Sequence, residues 1–424
     1  MFENAIMIIF VLGYAVIALE HNLGVNKTAA ALLMAVICWV MLALHGAQSP
    51  GGAVGGIVEK LGHQTEEIAQ ILIFLIGAMT IVQLMEDHGG FRIVTERLKV
   101  KNKRVLLWVV SFITFALSSV LNNLTTAIVM VSLFQRLIAD RDDRMIFGSM
   151  VIIAANAGGA WSPIGDVTTT MLWIGGQVSP LRIMERLFIP GMISMLVPLV
   201  WFSFMLKNGE VAAVGQTSGP ASVGMKRVFI LGFLSLVSVP VFTSWTGLPP
   251  YVGMILALAI LWLVTDLTHG EEREHLKIPQ ALRKIDMACI LFFLGILLAV
   301  AALEISGALR SLAVWMDQYL FNKDIVATML GLLSAIVDNV PLTAAAMGMY
   351  DLVHYPMDSK FWELLAFTVG TGGSILIIGS AAGVVVMGME KINFIWYLRK
   401  VSLPVLAGYF AGVGAYLLIY RIIG

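Results

Sequence analysis

Charge is scarce in this sequence. Of 424 residues, 13% are charged and 59% are hydrophobic, whereas a soluble domain carries about 25% charge. Mean hydropathy is +0.89. So little charge cannot cover a water-exposed surface, and the composition points to an all-α polytopic membrane protein. Net charge is lacking too: 27 basic residues balance 27 acidic ones, and nothing points to nucleic acid. Cysteine is nearly absent. Cys38 and Cys289 both lie in apolar runs and read as small lipid- or core-facing residues. No Cys/His cluster argues for a transition metal, and no cofactor is expected. The N-terminus, Met1-Phe2-Glu3-Asn4, lacks a basic region, so no cleaved signal peptide is expected.

Apolar runs long enough to span are plentiful. They fall near 5–19, 28–45, 68–85, 189–206, 228–243, 250–266, 286–303 and 401–420. A helical crossing takes about 20 residues, so the shorter runs need flanking residues or local thinning. Four more regions are interrupted by polar residues: 105–138, 145–176, 325–353 and 362–390. The first contains Ser118-Ser119-Val120-Leu121-Asn122-Asn123-Leu124-Thr125-Thr126. The third contains Ser334-Ala335-Ile336-Val337-Asp338-Asn339-Val340-Pro341-Leu342-Thr343. About 35 residues after each polar island comes a glycine pair, Gly158-Gly159 and Gly372-Gly373. Regions 145–176 and 362–390 can each cross once with an unwound middle at that pair. The arms 325–337 and 342–353 cannot cross: at about 1.5 Å per residue neither reaches through a ~30 Å hydrocarbon core. Both islands therefore read as tips of re-entrant hairpins, at Asn122-Asn123 and Asp338-Asn339. The first pair of arms is longer, and a full double crossing there stays open.

The chain matches itself in order. Gly13 corresponds to Gly232, an offset of 219, and Gly24 with Trp39 to Gly247 with Trp262, an offset of 223. Phe74-Leu75-Ile76-Gly77, Glu86 and Gly89 correspond to Phe292-Phe293-Leu294-Gly295, Glu304 and Gly307, an offset of 218. Asn122-Asn123 corresponds to Asp338-Asn339 at 216, and Gly158-Gly159 to Gly372-Gly373 at 214. Residues 1–206 and 228–424 then form two repeats, each of five spans (one broken) and one hairpin, with 207–227 as a cytoplasmic linker. Five is odd, so the second repeat enters the membrane inverted. With both termini outside, 20 of the 27 Lys and Arg residues lie inside and 7 outside, as the positive-inside rule requires.

An ionisable side chain inside a membrane is a functional candidate by default. Two stand out: Asp166, after the first glycine pair, and Asp338, at the second tip. In the repeat alignment Asp338 faces Asn122, and Asp166 faces Ser380. Each half therefore supplies one carboxylate. Neutral oxygens gather around them: Ser118, Asn122, Asn123, Thr125, Thr126, Asn156 and Thr168 in half one, and Ser334, Asn339, Thr343, Thr371, Ser374 and Ser380 in half two. Hard cations prefer such ligands. No basic residue lies near either island along the chain, so a carboxylate or phosphate substrate lacks an obvious partner. Any one Ser or Thr here could equally bond a preceding carbonyl. Glu86 and Glu304 end their helices and read as solvated, and the seven histidines lie in or near loops.

On these paired motifs the chain resembles the NhaD-type sodium/proton antiporters, within a larger group that includes citrate, dicarboxylate and arsenite carriers. The likeness covers essentially the whole chain. It implies a transporter rather than an enzyme, exchanging cytoplasmic Na⁺ or Li⁺ for external H⁺. It also implies a homodimer in the bacterial inner membrane, working by an elevator-like motion. Site positions carry over onto Asn122, Asn123, Asn156, Asp166 and Thr168, and onto Ser334, Asp338, Asn339, Thr371 and Ser374. One departure stands: the first tip is Asn122-Asn123 where the family pattern has Asp-Asn, which removes a titratable group. An organic-anion or arsenite-type carrier on the same fold is the alternative. An intramembrane aspartyl protease is disfavoured, because Pro163 replaces the Gly expected two residues before Gly165, and Tyr350-Asp351 lies near the membrane surface.

Overall fold

The computed structural model describes residues 2–18, 24–48, 54–91, 100, 102–206, 209, 224–268, 276–320 and 322–423. Most of the expected linker, 207–227, lies outside them. The described residues form 19 helices. Seven are long and apolar enough to cross a membrane. They are α2 (Lys27–Gln48), α3 (Val54–Asp87), α8 (Pro180–Met205), α9 (Met225–Thr246), α10 (Pro250–Thr268), α12 (Met287–Ile305) and α19 (Ser402–Ile423). The run near 5–19 falls in the shorter helix α1 (Phe2–Ala18). The chain is thus a multi-pass membrane protein. Its outward-facing Leu, Ile and Val side chains suit lipid, which satisfies no backbone polar group and so favours helices.

Both polar islands are breaks between helices. α4 (Lys103–Ser118) and α5 (Asn123–Leu137) flank the first, and α14 (Lys323–Leu333) and α15 (Asn339–Met349) flank the second. The tips are locally encoded. Asn122 caps α5 by accepting from Thr125 N at 2.9 Å, and Asp338 caps α15 by accepting from Val340 N at 3.1 Å.

The glycine pairs are also breaks. α6 (Arg141–Gly159) and α7 (Val167–Ile174) surround the first, and α16 (Lys360–Gly372) and α17 (Ala381–Glu390) the second. A Cβ on Gly158 would lie 2.3 Å from Phe115 O, and one on Gly372 1.9 Å from Gly331 O. These glycines let α4 lie against α6 and α14 against α16, while Gly159 and Gly373 stop the helices. A further bend lies beyond the expected region 362–390. α17 meets α18 (Phe394–Lys400) at 112°. Lys391 ends α17 in the left-handed conformation, and Asn393 caps α18. Three helices complete the set: α11 (Ile278–Lys284), α13 (Ala308–Tyr319) and the bent partner α18 already named.

Packing pairs recur between the halves. α4 lies on α6 as α14 lies on α16, α1 on α2 as α9 on α10, and α2 on α12 as α10 on α3. The helices that follow the two islands cross over: α5 packs on α17 and α15 on α7. Even an ion pair recurs with its polarity reversed. Lys103 of α4 pairs with Asp143 of α6, and Lys360 of α16 with Asp324 of α14, both at 2.5 Å.

Candidate functional site

The two tips meet the two breaks in the protein interior. Asn123 is buried, and its Nδ2 donates to Asn156 Oδ1 at 3.1 Å. Asn156 Nδ2 in turn donates to Ser374 Oγ at 2.8 Å and Ser380 Oγ at 3.0 Å. This first network runs from the tip of half one, through its broken span, to the break of half two. Tyr397 fixes that break by donating to Ser374 O at 2.8 Å.

The second network starts at the other tip. Asn339 Nδ2 donates to Asp166 Oδ2 at 3.0 Å. Asp166 is 2% exposed and stands at the N-terminal cap position of α7. Opposite lies Gly370, whose added Cβ would sit 3.8 Å from Asp166 Oδ2. Gly370 is the repeat counterpart of Asn156, and Asp166 that of Ser380. The smaller residue of one pair thus makes room for the carboxylate of the other. Thr168 is fully buried, and its Oγ1 makes no hydrogen bond of good geometry. Among the described residues, the charged side chain that acts on Asp166 is Asp338.

Ser118 and Ser334 serve the hairpins. Ser118 Oγ donates to Ala155 O at 2.6 Å, and Ser334 Oγ to Val369 O at 2.9 Å. Thr371 Oγ1 donates to Phe367 O of its own helix at 2.7 Å, so the structure brings it into neither network. Asn122 is half-buried and shares with Asp166 the lining of a cavity of about 20 Å³, room for one water-sized particle. A larger cavity of about 440 Å³ opens at the far end of α7, lined by Glu67, Gln177, Glu304 and Asp351 among others. Glu304 is exposed there, as its helix-end position suggests.

Asp338 is half-buried, and here the fold corrects the sequence. No basic residue neighbours the second island along the chain, yet Lys27 of α2 lies close enough to act on Asp338. Tyr14 of α1 also reaches the tip, its hydroxyl accepting from Asp338 N at 2.7 Å. Both lie more than 300 residues away in sequence, so spacing held no signal for them.

The chain has relatives that match it over nearly its whole length. A family model described as citrate transporter (CitMHS) matches residues 7–372. Sodium/proton antiporter 1 of Arabidopsis thaliana is 51% identical over 99% of this chain and 73% of its own length. Sodium/proton antiporter 2 of the same plant is 47% identical over 98% and 99%. The Na(+)/H(+) antiporter NhaD of Vibrio cholerae is 30% identical over 98% and 91%. The chain belongs to the citrate-transporter family and, within it, to the NhaD-type sodium/proton antiporters.

Proposed function

We propose that the chain exchanges Na⁺ or Li⁺ for H⁺ across its membrane, at sites built on Asp166 and Asp338. Asp166 carries the reading: a buried carboxyl whose hydrogen-bonding partner is the neutral amide of Asn339. Such a group has two inexpensive occupants, a proton or a bound cation, since a bare buried charge costs several kcal/mol. Asn339, Thr168 and carbonyls at the break supply oxygens for the cation. One site that accepts either ion, and moves only when filled, yields antiport by competition.

In this reading the halves are inverted repeats, both hairpins are re-entrant, and both termini face outside. The recurring packing pairs and the crossed second arms support that arrangement. The tips and breaks move together as a transport unit against a scaffold of long spans, and two copies form a homodimer. An organic-anion substrate is less well supported. Asp166 and Asp338 would repel such a substrate.

The test is cation-dependent proton flux in membrane vesicles. Na⁺ or Li⁺ added to acidified vesicles should release protons, whereas citrate or another dicarboxylate should not. Proton movement with citrate alone would favour the organic-anion carrier.

A further inference from the structure

We propose that the cavity of about 440 Å³ is the water-filled entrance to Asp166, and that Phe74 and Trp173 form a removable plug between the two. The inference deepens the exchange reading and rests on it. A buried carboxyl that trades a proton for a cation needs a wet path to a face of the membrane. Asp166 itself borders only the small cavity described above.

Two helices run past both spaces. On α3, Glu67 and Ile71 line the large cavity, and Phe74, three residues further on, lines the small one. On α7, Met171 and Ile174 line the large cavity, and Val167 and Thr170 line the small one with Asp166. α3 packs on α7, so the same two helices wall both spaces. Three residues of helix rise by about 4.5 Å, so the boundary is about one turn deep. That turn is apolar: Ile71, Phe74, Met171 and Trp173 are all buried. The rings of Phe74 and Trp173 meet edge to face, with centroids 6.1 Å apart and planes at 86°. Such a pair is a specific contact, and here it joins α3 to α7 across the boundary.

The two spaces differ in chemistry. The large one has room for on the order of ten waters. Among the described residues that line it, every charged one is acidic: Glu67, Glu304 and Asp351. Glu304 reaches across to α15, where a Cβ on Gly348 would meet its Oε2 at 3.2 Å. Such a lining favours water and cations over anions. An apolar constriction holds no continuous water and bars ions until it parts. Ordinary packing of α3 on α7 explains buried rings. It does not explain why an acidic cavity ends on one side of them and the Asp166 cavity begins on the other. In the orientation proposed above the mouth faces outside, so protons enter and sodium leaves by this path.

Thiol labelling tests the plug without relying on exchange. The probe is a small cationic methanethiosulfonate on the purified full-length protein. Peptide mass spectrometry reads the adduct at the introduced cysteine, so native Cys38 and Cys289 stay in place. Ile174→Cys lies on the entrance and Val167→Cys on the inner cavity. Ile174→Cys should label about tenfold faster than Val167→Cys. Adding Phe74→Ala should raise the Val167→Cys rate about tenfold, whereas Phe74→Met, which keeps apolar bulk, should not. Phe134→Ala empties an equally buried position on α5 and should leave the rate unchanged. Equal labelling of Ile174→Cys and Val167→Cys beside native Phe74 overturns the proposal. So does a Val167→Cys rate that Phe74→Ala leaves unchanged, or one that Phe134→Ala raises as much. If Phe74→Ala does not accumulate, Trp173→Ala takes its place. Failure of both to accumulate makes the pair a folding contact and overturns the plug. Proton release on sodium addition is recorded on the same wild type. Its absence sinks the exchange reading, and the inference that rests on it, by a separate measurement.

Discussion

Asp166 and Asp338 differ in setting. Asp166 is buried and bonded to Asn339, while Asp338 is half-buried and held by Tyr14 through its backbone N–H. Their candidacy was legible because a carboxylate inside an apolar run is costly wherever it points. Their partners were not, because Tyr14 and Asn339 come from distant segments. Thr168→Val removes a buried hydroxyl close to Asp166 and nearly keeps the side-chain volume. If that oxygen serves the cation, half-saturation by Na⁺ should rise about tenfold with little loss of protein, as a sodium titration of exchange would show. Thr371→Val should change exchange little, because Thr371 Oγ1 bonds within its own helix; a loss like that of Thr168→Val would place Thr371 at a site. Asn122→Asp puts a second carboxyl on the small cavity beside Asp166. Two like charges so close disfavour joint ionisation, so the pair keeps a proton to higher pH. Sodium then meets stronger proton competition, and the rate-against-pH profile at fixed Na⁺ should move toward higher pH. Superimposable profiles would mean that Asn122 and Asp166 do not share a site.

Helices broken at polar islands and glycine pairs give the site its shape. Those breaks could be read from sequence, since Asn-Asn, Asp-Asn and Gly-Gly interrupt helices for known local reasons. The bend between α17 and α18 could not, because it depends on Lys391 taking a left-handed conformation that few such residues adopt. Gly372→Leu tests the close contact of α14 with α16. Its Cβ would lie 1.9 Å from Gly331 O, whereas a Cβ on Gly414 would meet nothing within 4 Å. Overpacking costs about 1–3 kcal/mol or more, so Gly372→Leu should melt several degrees lower or fail to accumulate. Gly414→Leu should match the wild type in a thermal-shift assay. Equal melting would mean that α14 and α16 do not rely on this approach.

The whole molecule shows matched packing between halves whose charges are not matched. Ordered offsets made the correspondence visible in sequence, and the crossed contacts of α5 with α17 and α15 with α7 give it physical form. We infer the sidedness from an odd number of spans in each repeat and from the distribution of basic residues. Single cysteines near 246 and 355 should react with an impermeant reagent from outside, and one near 275, which lies outside the described residues, should not. Labelling of 275 from outside would overturn the orientation. The central claim is that cation and proton compete for two aspartates. It is met most directly by adding Na⁺ to purified protein in weakly buffered solution and recording proton release. The wild type should release protons on sodium addition, and release should fall in both Asp166→Asn and Asp338→Asn while the proteins remain folded. Release at the wild-type level in both variants would contradict the account.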